Sequence, residues 1–237
     1  MNVALVFAGG AGTRMGASVP KQFLQLCGKP VLVYTLGLFQ NHPEIDRIRV
    51  VAPSDYIDRT GELCRQYGMT KVVGIVEGGD TAQDSIYNGL EVCAREDGED
   101  AVVLLHDGVR PYLEPEVISR NISSVREFGN AITITPCFET IVVSADGRCI
   151  DQMPRRAESY TAQAPQSFRV SDILAAHERI RAEPTRYADM VDQATICHHL
   201  GIPVHLVMGS RGNIKVTTSE DLHMLGALLR MREGAIA

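Results

Sequence analysis

The stretch LVFAGGAGTRMGASVPKQF, residues 5–23, decides how the beginning of the chain folds. Residues 3–8 are apolar and typical of a buried strand, and four glycines follow within residues 9–16. Glycine allows a tight turn and lets backbone N–H groups approach a ligand closely. Two cations, Arg14 and Lys21, accompany this turn.

Three interpretations of the glycine loop differ in what they explain. A plain strand-to-helix turn accounts for the glycines alone. A dinucleotide fingerprint fits poorly, because the spacing is Gly10-x-Gly12-x-x-x-Gly16 and no acidic residue lies about 20 positions further on; the GxxxxGK[ST] phosphate loop is absent. A loop around a triphosphate also explains Arg14 and Lys21, because cations neutralise the charge that develops when a phosphoryl group is attacked.

The rest of the chain alternates between strand-like and helix-like segments. The strand-like segments are 3–8, 48–52, 72–76, 101–106, 131–135 and 202–207, and the helix-like ones are about 30–40, 55–67, 80–95, 115–127, 171–182, 188–200 and 218–232. This alternation predicts an α/β fold: a mostly parallel, twisted sheet with helices on both faces. Ligands bind beyond the carboxyl ends of such strands, so we expect the glycine loop and His106-Asp107 at one edge.

Three helices carry recognisable start signals. Side chains of Ser, Thr and Asp cap helix N-termini by accepting backbone N–H groups. The expected caps are Thr81 or Asp80, then Ser171 with Asp172, and finally Thr218 with Glu220 and Asp221.

Residues 137–163 break the alternating pattern. An apolar-polar run, an Asp146-Gly147 turn and a second short run predict a β-hairpin. Its second limb contains Met153-Pro154-Arg155-Arg156, which is too polar for a core, so we expect the hairpin to project as an arm. An isolated two-stranded ribbon is marginally stable, and the simplest packing partner is a second copy of the chain.

The whole-chain composition limits the class of protein. With 237 residues, 45% of them hydrophobic, the sequence predicts one domain over 1–237. The net charge is −6 and no basic tract is present, which argues against nucleic acid as a partner. We recognise no signal-peptide pattern and no long apolar run. The six scattered cysteines are interpreted as buried, reduced thiols of a cytoplasmic protein.

Seven motifs in order resemble the cytidylyltransferases that make CDP-methylerythritol or CDP-ribitol, within the wider sugar nucleotidyltransferases. The first is AGGAGTRMG…PKQF at residues 8–23, and together the seven run the length of the chain. The further motifs are GGDTAQDSIYNGL (78–90), HDGVRPYL (106–113), FET (138–140), PRRAESYTAQAPQSFR (154–169), MVDQAT (190–195) and GNIKVTTSEDL (212–222).

The resemblance implies a Rossmann-like nucleotidyltransferase that needs Mg²⁺. The reaction would join CTP and a polyol phosphate into a CDP-polyol and pyrophosphate. The arm would be the family's dimerisation arm, making the protein a homodimer with no membrane partner. The sequence departs from the family pattern at Ala82, where many relatives have arginine, and at Glu139, where aspartate is usual. It also departs at Asp192-Gln193, which replaces a more acidic pair.

The resemblance also implies roles for individual residues. The catalytic residues would be Arg14 and Lys21 at the α-phosphate, and Arg156 and Lys215 at the acceptor phosphate. Those implied to bind CTP are Ala8, Gly9, Gly10, Gly12, Gly79, Asp80, Ser85 and Asp107, and those implied to bind the acceptor are Asp107, Arg110, Thr140, Arg156, Asp192 and Lys215. Asp107 is also the candidate metal ligand, and the alternative interpretation of this residue is an ion pair with Arg110. Thr140 and Arg156 would act on the partner's site.

The acceptor is the least determined part of this prediction. The AGG of the glycine loop, HDGVRPYL and Tyr160-Thr161-Ala162-Gln163 resemble the ribitol-5-phosphate enzymes of cell-wall polymer synthesis more closely. The alternative is 2-C-methyl-D-erythritol 4-phosphate, for isoprenoid synthesis. Two other classes were weighed: an inactive nucleotide-binding protein, and an NAD-dependent oxidoreductase, which would leave Arg14 and Lys21 unexplained.

Overall fold

A computed structural model describes residues 1–9, 19–183, 187, 189–232 and 234. The strands are β1 (Asn2–Phe7), β2 (Gln25–Leu26), β3 (Lys29–Pro30), β4 (Arg47–Ala52), β5 (Val72–Glu77), β6 (Val102–Asp107), β7 (Asn130–Pro136), β8 (Tyr160–Arg169) and β9 (Leu206–Met208). The α-helices are α1 (Val31–Gln40), α2 (Ile57–Gln66), α3 (Ala82–Asp97), α4 (Pro115–Phe128), α5 (Val170–Arg181), α6 (Gln193–His199) and α7 (Ser219–Arg232).

Seven strands form the central sheet in the order β5-β4-β1-β6-β8-β7-β9. Within this sheet β8 alone runs antiparallel to its neighbours, which confirms the predicted mostly parallel α/β fold. The chain moves outward from β1 to β4 and β5, then returns to place β6 on the other side of β1. The gap beyond the carboxyl ends of β1 and β6 is therefore the topological switch point, where open α/β sheets bind ligands.

Two hydrophobic layers cover the sheet because successive side chains of a strand point to opposite faces. In β1, Ala4 and Val6 pack with α1, α2 and α4, whereas Val3 and Leu5 pack with α3, α5 and α6. A third, smaller cluster packs α7 beside β2 and the beginning of α1. Among the described residues, no helix is long and apolar enough to cross a membrane.

Several sequence expectations were wrong in detail. The expected strand at 202–207 is only Leu206–Met208, and the helix expected from 188 begins at Gln193. The capping expectation holds for Thr81, which accepts the backbone N–H of Asp84, and for Thr218, which accepts that of Asp221. Helix α5 instead follows Arg169 without a side-chain cap, so the prediction for Ser171 and Asp172 was wrong. The cysteines are free as expected, but Cys27 and Cys149 are exposed.

The predicted hairpin is irregular and shorter than expected. One isolated antiparallel bridge joins Val143 to Gln152, around the Asp146-Gly147 turn. The carboxylate of Asp146 accepts the backbone N–H groups of Arg148 and Cys149, which stabilises that turn. Residues 160–163 belong to β8 instead of the hairpin. We use the name arm for residues 137–159.

Candidate active site

Three charged side chains meet beyond the carboxyl end of β6. Asp107 is the last residue of β6, and in the sheet it lies directly opposite Phe7 at the end of β1. Its Oδ2 accepts from Nε of Arg110 at 2.9 Å, and its Oδ1 accepts from Nζ of Lys215 at 2.7 Å. The predicted Asp107–Arg110 ion pair is therefore present, and Lys215 joins it from 108 residues further along the chain.

The surroundings of Asp107 keep it ionised. Burial by itself would raise the pKa of this carboxyl, but the positive charges of Lys215 and Arg110 outweigh that effect. The pKa of Asp107 is lowered to about 2. At neutral pH the cluster thus contains one carboxylate and two cations, which leaves one net positive charge at the switch point.

Backbone contacts fix the turn that follows β6. The N–H of Gly108 donates to Phe7 O at 2.8 Å, and a Cβ at Gly108 would approach the same oxygen to 2.8 Å, so glycine is required there. His106 is fully buried, and its Nε2 lies 3.1 Å from Arg110 O. Burial lowers the pKa of His106 to about 4, so the neutral ring donates to that carbonyl.

Asn213 supports the Asp107 cluster and was missed from the sequence. Its carbonyl oxygen accepts from Arg110 at 2.7 Å, and its buried side-chain amide donates to Ala164 O at 2.6 Å. The N–H of Val216 donates to Val109 O at 2.9 Å, so the segment that carries Lys215 runs beside the turn after β6. The one available signal was the position of Asn213 two residues before Lys215 in the GNIKV motif.

The beginning of the glycine loop lies beside this cluster. Ala8 is buried, its N–H donates to Val51 O at 2.8 Å, and its carbonyl accepts from Nε2 of Gln22 at 2.6 Å. Gly9 is exposed, and Lys21 begins a short 3-10 turn, Lys21–Phe23. The predictions for Gly10, Gly12 and Arg14 concern positions outside the described residues.

A second glycine turn lies between β5 and α3, and we use the name 78–85 turn for it together with the first turn of α3. The N–H of Gly78 donates to Ala52 O at 2.9 Å, which holds the turn at the carboxyl end of β4. The N–H of Gly79 donates to Oγ of Ser85 at 3.0 Å, and the Ser85 hydroxyl lies 2.9 Å from Thr81 O. Asp80 is exposed and Thr81 occupies the capping position, so Asp80 is left unconstrained by helix capping.

Three further candidate residues, Asp192, Thr140 and Arg156, are not paired with the Asp107 cluster in the described part of the chain. Asp192 caps α6: its Oδ1 accepts from the N–H and hydroxyl of Thr195, and its Oδ2 from Nε2 of Gln166. Thr140 and Arg156 lie in the arm and are exposed. Within the described part of the chain, neither arm residue contacts the Asp107 cluster by a hydrogen bond or ion pair.

A doubly wound sheet with a glycine loop and a cationic cluster at its switch point is the arrangement of a nucleotidyltransferase. The family model described as IspD: 2-C-methyl-D-erythritol 4-phosphate cytidylyltransferase matches residues 2–231. The chain therefore belongs to this cytidylyltransferase family, as its motifs indicated.

Individual relatives agree over nearly the full length. A ribitol-5-phosphate cytidylyltransferase of Streptococcus agalactiae serotype III (strain NEM316) is 42% identical over 98% of this chain and 97% of its own. A 2-C-methyl-D-erythritol 4-phosphate cytidylyltransferase of Geotalea uraniireducens (strain Rf4) is 41% identical over 96% of each chain. The crystal structure of 4-diphosphocytidyl-2C-methyl-D-erythritol synthase from Anaerococcus prevotii superimposes with a TM-score of 0.82 at 29% identity, covering 96% of this chain and 95% of that one.

Proposed function

We propose that the protein transfers CMP from CTP to the phosphate of D-ribitol 5-phosphate, or a related pentitol phosphate, and releases pyrophosphate. The observation that carries the proposal is the pair of cations that Asp107 holds at the switch point, Arg110 and Lys215. Both substrates are anions, and bringing two anions together is costly unless cations lie between them.

The chemistry needs positioning and charge more than a general base. An oxygen of the acceptor phosphate is already ionised; it attacks the α-phosphorus of CTP as the bond to the pyrophosphate oxygen breaks. We assign Lys215 to the acceptor phosphate, because its ammonium group is partly exposed beside Asp107. Arg14 and Lys21 are assigned to the α-phosphate, where negative charge grows in the transition state.

The two glycine turns are assigned to CTP. The backbone from Ala8 into the glycine loop, with Gly9, Gly10 and Gly12, would face the phosphates. The 78–85 turn would read cytosine through Gly79, Asp80 and Ser85, because backbone groups and a hydroxyl supply both donors and acceptors. The beginnings of the two turns lie on either side of the carboxyl end of β4, because Ala8 N–H donates to Val51 O and Gly78 N–H donates to Ala52 O.

Mg²⁺ fits the donor chemistry of Asp107. Among the residues that the structure describes, no three His, Cys, Asp or Glu side chains converge as a cage for a metal. Mg²⁺ typically binds through one or two carboxylates and the substrate phosphates, and a carboxylate that accepts two hydrogen bonds retains lone pairs for a metal. Bound with CTP, the ion would neutralise phosphate charge, and Asp107 would hold it.

The arm supports the proposal of a homodimer with shared sites. Phe138, Val142, Ile150 and Met153 each have at least 50% of their surface exposed. An apolar surface of this kind typically marks a protein interface. We propose that a second copy covers it and that Thr140 and Arg156 reach the acceptor in the partner's site.

The acceptor would extend from Lys215 toward Arg110. A cleft of about 500 Å³ opens beside Arg110, between the base of the arm and residues 211–214, which suits a small polar ligand. Asp192 remains a proposed contact to the polyol end, although its oxygens already cap α6.

Pyrophosphate release from CTP and Mg²⁺ tests the proposal with two acceptors side by side. Turnover with D-ribitol 5-phosphate alone would support the proposed acceptor, which agrees with the name of the Streptococcus relative and the AGG of the glycine loop. Turnover with 2-C-methyl-D-erythritol 4-phosphate alone would transfer the assignment to that substrate, which the family model and the Geotalea relative favour. CTP binding without turnover of either would indicate an inactive protein or another acceptor.

A further inference from the structure

A charged residue at the end of α5 contacts the 78–85 turn. Nη1 of Arg181, the last residue of α5, donates to Oδ1 of Asp84 at 2.8 Å. The guanidinium carbon of Arg181 lies 4.2 Å from the centre of the Tyr87 ring, so the side chain is stacked as well as paired. Both contacts join α5 to the first two turns of α3, and the ion pair spans 97 residues of sequence.

Asp84 links this pair to the backbone that we assign to cytosine. Its N–H donates to Oγ1 of Thr81 at 3.0 Å, and its Oδ2 accepts from the same hydroxyl at 2.6 Å. Gly79 lies directly against it: a Cβ built at Gly79 would come within 2.5 Å of the Asp84 Cβ. A shift of Asp84 must therefore displace Gly79 or open the turn.

The direction of the Asp84 carboxylate depends on Arg181. One oxygen faces the guanidinium and the other faces Thr81, so the ion pair and the hydroxyl together restrict rotation of the carboxylate plane. The hydrogen bond from Thr81, with the nearby charge of Arg181, lowers the pKa of Asp84, which therefore stays ionised at neutral pH. Without the cation, Oδ1 would lose its charged partner, and the Thr81 hydroxyl and the Tyr187 side chain would be left to hold the carboxylate.

We propose that Arg181 is a positioning residue for the nucleotide: through Asp84 it holds Gly79 and Ser85 in the conformation that recognises the base of CTP. This rests on the proposed function of the 78–85 turn. Arg181 touches neither substrate itself. Its loss should weaken CTP binding and leave acceptor binding and the rate of the chemical step nearly unchanged.

The test compares Arg181→Met with Arg179→Met. Arg179 lies on the same helix, is exposed, and makes no hydrogen bond or ion pair with any described residue. For Arg181→Met we expect the KM for CTP to rise about fivefold, as for loss of a partly exposed charged contact, with kcat at saturating CTP and the KM for the acceptor nearly constant. Arg181→Lys, which keeps the charge, should recover part of the affinity, and Arg179→Met should match the parent.

A double-mutant cycle isolates the pair from a general loss of stability. If Arg181 acts through Asp84, Arg181→Met should add little to the effect of Asp84→Asn on the dissociation constant of CTP, measured by calorimetry. Additive effects would overturn the proposal. So would a lowered melting temperature with an unchanged KM for CTP, which is the signature of a purely structural ion pair.

Ser85→Ala separates this inference from the proposed function beneath it. If Ser85→Ala weakens CTP binding while Arg181→Met does not, the turn binds the nucleotide and the positioning role is wrong. If neither variant changes the KM for CTP, the assignment of the turn to cytosine fails, and the role of Arg181 fails with it.

Discussion

Replacing each cation of the Asp107 cluster by methionine should separate activity from stability. Arg110 and Lys215 both contact Asp107, but they are anchored differently. The Arg110 side chain is 14% exposed and also donates to Asn213 O at 2.7 Å, whereas the Lys215 side chain is 42% exposed and, among the described residues, pairs with Asp107 alone. Methionine keeps the apolar length of either side chain and removes its charge.

The expected magnitudes follow from this difference. Arg110→Met leaves Oδ2 of the partly buried Asp107 carboxylate and the buried carbonyl of Asn213 without their donor, so the free energy of unfolding should fall by about 3 kcal/mol. Lys215→Met removes an exposed pair and should cost about 1 kcal/mol or less. The order reverses for kcat. Lys215→Met should lower kcat about 10²–10³-fold, as for removal of a group that stabilises transition-state charge, and Arg110→Met should lower it about tenfold.

Urea unfolding and pyrophosphate release measure the two quantities on the same preparations. Lys29→Met is the matched control, because Lys29 is exposed on β3 and lies over the Tyr34 ring, away from Asp107. It should change stability by less than about 0.5 kcal/mol and leave kcat unchanged. Equal destabilisation by Arg110→Met and Lys215→Met, or retention of most activity by Lys215→Met, would refute the reasoning.

Three further predictions use other observations. The pKa of Asp107 falls from its ordinary 3.8 to about 2 on folding, so its carboxylate contributes about 2.5 kcal/mol to the free energy of unfolding above pH 4. This contribution is lost as the pH falls toward 2. Asp107→Asn should remove that part of the pH dependence when urea unfolding is measured across this range. Gly79→Ala places a methyl group 2.5 Å from the Asp84 Cβ, so the dissociation constant of CTP should rise about tenfold in calorimetry, and unchanged affinity would contradict the assigned turn. Inactive Arg156→Ala and Lys21→Ala subunits should regain activity when mixed into verified heterodimers, and no recovery would contradict a shared site.

The secondary structure could be predicted from the sequence wherever a segment has the hydrophobic pattern that is typical of its strand or helix. Strands β1, β4, β5, β6 and β7 are apolar runs and were found within one residue at most ends. Strand β8 was missed because half of its buried residues are polar: Gln166 pairs with Asp192, and Ser167 donates to Asn121. Hydrogen bonding satisfies these side chains in the core, and such pairing between distant elements leaves no periodic signal in the sequence.

The sequence predicted individual residues of the candidate site but not the hydrogen bonds that join them. Asp107 and Gly9, the first residue of the glycine loop, follow apolar strands, and the structure has Asp107 at the end of β6 opposite Phe7 at the end of β1, at the edge where the rule for open α/β sheets expects ligands. The support from Asn213 to Arg110 joins residues 103 positions apart and uses a backbone carbonyl. No side-chain pattern encodes a backbone acceptor, so only the folded chain reveals that contact.

The different anchoring of the two cations also assigns their roles before any substrate binds. Asp107 forms ion pairs with both cations, so an incoming acceptor phosphate competes with this carboxylate for them. Arg110 is held from two sides and can release Asp107 only by also leaving Asn213 O. Lys215 has a flexible stem and a single described partner, so its ammonium group can turn to the phosphate at little cost. We infer that Arg110 keeps Asp107 in place while Lys215 transfers to the substrate.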